Sequence, residues 1–114
     1  MAQHVTSPQE FFGFQLGTDR KIAHWNRIVD YFRLLNQESQ KLKVIEMGLS
    51  TEGNPFLLVI VSSPQNLDNL QYLQDLNAQI SDPRGRSETE ISRLTHEGKV
   101  VICQSMGLHA SEIG

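Results

Sequence analysis

Between Asp19 and Gln37 the apolar residues Ile22, Trp25, Ile28, Val29, Phe32 and Leu35 recur at steps of three and four. That spacing places them on one face of a helix. Lys41 to Leu49, with Leu42, Val44, Ile45 and Met47, reads as a strand. The run Gly48-Leu49-Ser50-Thr51-Glu52-Gly53-Asn54-Pro55, which overlaps its end, is dense in turn formers and separates it from a second strand. Phe56-Leu57-Leu58-Val59-Ile60-Val61 is continuously apolar rather than alternating. This is the pattern of a central strand covered on both faces.

Pro64 closes that strand, and Leu67, Leu70, Leu73, Leu76 and Ile80 repeat at helical spacing until Asp82-Pro83-Arg84-Gly85. The stripe spans barely two heptads, so packing onto the sheet is expected rather than a coiled coil. Ser87-Glu88-Thr89-Glu90 has the form of a capping box, opening a third helix through Ile91 and Leu94. Gly98 suits a left-handed helix exit. Lys99-Val100-Val101-Ile102-Cys103-Gln104 is again read as a strand. The order helix, strand, strand, helix, helix, strand predicts an α/β class with a buried sheet, about three strands and three helices.

Composition narrows the possible partners. The 114 residues are 39% hydrophobic and 20% charged, as expected of one soluble globular domain or a piece of a larger one. Lys and Arg number 10 against 13 Asp and Glu, and no basic cluster exceeds Arg84-Gly85-Arg86. A nucleic-acid partner is therefore not expected. The longest apolar run, Phe56 to Val61, is far short of the roughly 18 residues of a membrane span. A single cysteine, Cys103, forms neither an internal disulfide nor a multi-cysteine zinc site. Following Val-Val-Ile in an expected core strand, it reads as a small buried hydrophobe.

The candidate chemistry lies after the last strand, just past its carboxyl end, where open α/β sheets place ligand sites. His109 and Glu112 are three apart, so one helical turn would project both from the same face toward one cation. An imidazole and a carboxylate suit zinc. The pair alone is a short pattern, equally satisfied by a helix start whose carboxylate faces the positive end of the dipole. The remaining polar candidates have plainer readings. Glu52 lies in a turn and is expected to be solvated, His96 to sit on the surface in a last helical turn, and His24 to pack at a helix flank beside Trp25.

Context gives the pair its meaning. Glu46-Met47-Gly48-Leu49-Ser50-Thr51-Glu52-Gly53-Asn54-Pro55 precedes an apolar strand, and Val100 to Cys103 leads into Gly107-Leu108-His109-Ala110-Ser111-Glu112. Together these resemble the motifs G-x-S-x-E-G-x-P and G-x-H-A-x-E of the zinc carboxypeptidase family of carboxypeptidase A. Ser7-Pro8-Gln9-Glu10-Phe11-Phe12-Gly13-Phe14, with Gly17-Thr18-Asp19-Arg20, is similar to the start of large bacterial members. The resemblance runs from about Ser7 to Gly114. It implies an extended N-terminal segment over 1–18, then over 19–114 the incomplete N-terminal part of a mixed-sheet α/β/α catalytic domain.

The resemblance further implies that His109 and Glu112 are the first two zinc ligands, with Zn2+ as cofactor and the C-terminus of a peptide or protein as substrate. The family's third ligand, its general-base glutamate, its substrate-carboxylate arginine and its active-site tyrosine have no counterpart up to position 114. The 114-residue chain is thus expected to be catalytically inert alone. Ser111 stands where many members have arginine, and Asn54 replaces another frequent arginine, so subsite preference is open. So are oligomeric state and compartment: the start is that expected of a protein either cytoplasmic or already stripped of a leader, and Ala2-Gln3 resembles the residues that follow leader cleavage in bacterial relatives, which leans toward a secreted or periplasmic protein. Two other readings stand beside the peptidase. One is an aspartoacylase-like zinc amide hydrolase of the same fold, whose motif usually carries glycine where this chain has Ala110. The other is a noncatalytic remnant or interaction module.

Overall fold

A computed structural model describes residues 4–105 and 109. They form a mixed α/β structure of five helices and one two-stranded antiparallel sheet. The chain divides into two compact units, Met1–Leu67 and Asp68–Gly114.

The first unit begins with helix α1 (Pro8–Phe12) inside the segment expected to be extended. Its start follows from local chemistry. The Ser7 hydroxyl accepts from the Glu10 N–H, the Glu10 carboxylate accepts from the Ser7 N–H, and Pro8 stands where no helical amide is needed. Helix α2 (Trp25–Glu38) starts three residues after Ile22, where the apolar periodicity begins. Gly17 and Arg20 have positive φ, 87° and 59°, and successive turns join Thr18 to Gln15 and Lys21 to Thr18. Left-handed residues stop a right-handed helix from propagating, which leaves Ile22 exposed.

Strands β1 (Leu42–Leu49) and β2 (Pro55–Val61) pair in the register Leu42↔Val61 to Glu46↔Leu57. Between Glu46 and Gly48 the register shifts, leaving Met47 as the extra residue of a bulge. Gly48, with φ 116°, supplies a backbone conformation that side chains rarely tolerate. Helix α2 covers the sheet face that carries Leu42, Val44, Leu57 and Val59, and Val29 is buried. Arg33 reaches over to Glu46 at 2.5 Å, and Asn36 Oδ1 accepts from the Val44 N–H at 2.8 Å. The opposite face, with Ile45, Leu58 and Phe56, is exposed among the described residues. The expectation of a central strand covered on both faces is therefore corrected: among the described residues β2 has one neighbour and one covered face.

Aromatic packing ties α1 to α2. Phe11 and Phe12 lie 5.0 and 5.5 Å from the Tyr31 ring, and Arg27 stacks over Phe11 at 4.5 Å. Tyr31 is buried, and its hydroxyl donates to the Thr6 carbonyl at 2.8 Å. Loss of solvent around that ring holds the phenol above its ordinary pKa.

The helix expected from Leu67 onward is two helices. Helix α3 (Pro64–Asp68) begins at Pro64, with Ser63 bonding the amides of Asn66 and Leu67, and Asn69 separates it from α4 (Leu70–Ser81). In the second unit α4 packs on α5 (Glu88–Glu97), burying Leu76 and Leu94 to 1% and 2% exposure. The capping box at Ser87 and Glu90 forms as the sequence indicates.

Gly98 ends α5 with φ −57° and ψ 155°, not in the expected left-handed state. Its role is close approach instead. A β-carbon there would lie 2.7 Å from Ile80 Cδ1 and 3.1 Å from the Leu94 carbonyl oxygen.

Lys99 to Gln104 is not a strand, so among the described residues the sheet has two strands where about three were expected. A strand needs a ladder partner, and the described residues of this unit offer only helices. Val100, Val101 and Ile102 are 93%, 72% and 90% exposed.

Candidate functional site

The two sequence-predicted metal ligands fall differently. His109 is described, exposed and without assigned helix or strand. Glu112 lies outside the described residues, as do Gly107, Leu108, Ala110 and Ser111 of the same motif. Among the described residues no three His, Cys, Asp or Glu side chains gather to hold a metal ion. What bears on zinc is the chemistry of the two donors, one imidazole nitrogen and one carboxylate oxygen, which suits that metal. The segment that leads into them, Lys99 to Gln104, is irregular, and Cys103 within it is exposed rather than packed in a core.

The earlier motif is well defined. Ser50 organises its turn: its N–H donates to the Asn54 carbonyl at 2.8 Å, its carbonyl accepts from Gly53 at 2.9 Å, and its hydroxyl accepts from the Asn54 N–H at 3.2 Å. A serine that bonds the backbone three or four residues on is a common device for closing tight turns. Trp25 Nε1 donates to the Pro55 carbonyl at 3.0 Å, anchoring the end of the turn to the first residue of α2. Sequence reading marked this stretch as a turn without assigning Ser50 or Trp25 a part in it. The signal for Ser50 is its position at the head of Ser-x-x-Gly-Asn. Nothing local marks the Trp25 contact, which joins residues 30 apart.

Glu52 is exposed in the turn, and His96 is exposed in the last turn of α5. His24 does not pack at a flank; it is the exposed N-cap of α2, its carbonyl accepting from Ile28, because the helix begins one residue after it.

A charged cluster joins α4 to α5. The Tyr72 hydroxyl donates to Glu97, and Arg93 Nη1 donates to the same carboxylate oxygen at 3.1 Å. The phenol bond, then the guanidinium, hold the Glu97 carboxyl below its usual range, while the same carboxylate raises the Tyr72 phenol. The three side chains thus bond one another and join the two helices. Arg93 also borders a shallow depression with Glu88, Thr89, Ser92 and His96, lined among the described residues by one face of α5.

No helix among the described residues is long and apolar enough to cross a membrane. No family model matches the chain, and neither a curated protein nor a solved structure does.

Proposed function

We propose that the chain is the N-terminal part of a zinc metallocarboxypeptidase whose whole form hydrolyses the C-terminal peptide bond of peptides or proteins. The observation that carries this reading is the order of two motifs on one chain: Gly48-x-Ser50-x-Glu52-Gly53-x-Pro55 ahead of an apolar strand, then Gly107-x-His109-Ala110-x-Glu112. Either alone is a short pattern. Their succession, preceded by the segment from Ser7 to Arg20, is what favours this family over other zinc hydrolases.

In this reading His109 and Glu112 are metal ligands, supplying a neutral nitrogen and an anionic oxygen. Zinc, when bound, would polarise the scissile carbonyl and activate water. The chain's other residues prepare the scaffold: Ser50 and Trp25 hold the first motif in a tight turn against α2. A third ligand and a general base would come from sequence beyond Gly114, since a catalytic zinc typically has three protein ligands and needs a proton acceptor.

The test begins with the reading frame beyond the codon for Gly114. The proposal expects it to continue and to supply a histidine and a glutamate in family context. The protein from the whole frame should then carry one zinc and release single residues from peptides with a free C-terminus but not from amidated ones. A translated frame that stops at Gly114, or a longer protein that neither holds zinc nor cleaves such peptides, overturns it.

A further inference from the structure

We draw no further inference here: the strongest candidate, the open apolar face of the β1–β2 hairpin with Ile45, Met47, Leu58 and Phe56, carries nothing because nothing in the structure shows what covers it.

Discussion

Thr6 donates twice to a single carboxylate, its backbone N–H lying 2.8 Å from Glu38 Oε2 and its hydroxyl 2.9 Å from Glu38 Oε1. The contact joins the N-terminal segment to the last residue of α2, 32 positions away, and all four groups are partly buried. Removing the acceptor leaves two donors with no partner of equal strength. Glu38→Ala should therefore destabilise the first unit by about 1–2 kcal/mol, the range for partly exposed hydrogen bonds to a charged group. The readout is the urea midpoint together with exchange of the Thr6 amide. An unchanged midpoint and an equally protected amide would show that the aromatic contacts of Phe11 and Phe12 hold the segment without the carboxylate.

Gly98→Ala tests close packing in the second unit. At this backbone conformation an alanine is sterically permitted, and by itself would stabilise by about 0.4–1 kcal/mol through the unfolded state. Against that gain stand the approach to Ile80 Cδ1, the flexible end of a side chain, and the firmer constraint of the Leu94 carbonyl oxygen, which is backbone. We expect a net loss of about 1–3 kcal/mol, the usual cost of overpacking. Shortening Ile80 to valine removes the nearer atom, so the double variant should recover part of the loss in a mutant cycle. Strict additivity of the two changes would contradict the assigned contact.

Acid should loosen both capped helices. Hydrogen bonds from the Ser7 and Ser87 backbones, then from their hydroxyls, hold Glu10 and Glu90 below the ordinary glutamate range. In the unfolded chain these carboxyls take up protons in that ordinary range, so between the two values the unfolded state binds more protons. The caps' contribution is thus complete at neutral pH, declines as pH falls below the ordinary range, and is gone below the lowered folded values. Ser87→Ala should cost about 1 kcal/mol at neutral pH and flatten the acid limb of a stability-against-pH curve. A wild-type curve with no acid decline would contradict the argument.

The metal assignment predicts two outcomes of opposite kind. The 114-residue chain with added zinc should release no C-terminal residues from peptides; turnover that disappears on His109→Ala would show the opposite. In the protein from the whole reading frame, His109→Ala should remove zinc and activity together. Full zinc content in that variant would place the metal elsewhere.

The parts of this fold that were legible in the sequence are those whose causes are local. Ser87 and Glu90 satisfy each other's backbone within one turn, and the hairpin from Leu42 to Val61 follows from two apolar runs around a turn that Ser50 closes. The misread parts depend on distant partners or on a few unusual dihedral angles. Val100 to Ile102 has strand-forming residues, yet extended backbone becomes a strand only where another presents its amides and carbonyls. The apolar periodicity from Ile22 ignored the left-handed backbone at Arg20, which nothing in a single arginine announces. Of the candidate site the sequence offers a pair of residue types at ligand spacing, His109 and Glu112, and that pair stands as an expectation because Glu112 lies outside the described residues. The geometry that would unite them depends on residues outside those described.

The bond from Asn36 to Val44 has a directional consequence. Ser62 donates to Lys41 across the hairpin, so by alternation the pairs Lys43↔Ile60 and Ile45↔Leu58 face inward. The amide of Val44 therefore points away from β2, and Asn36 already occupies it. A strand arriving beside β1 would have to displace that side chain from the middle of its path. On the far side of β2, the amides and carbonyls of Leu57, Val59 and Val61 point outward along the remaining edge. Among the described residues the two margins of this small sheet are thus unequal, because the β1 margin carries a side-chain acceptor on an outward amide.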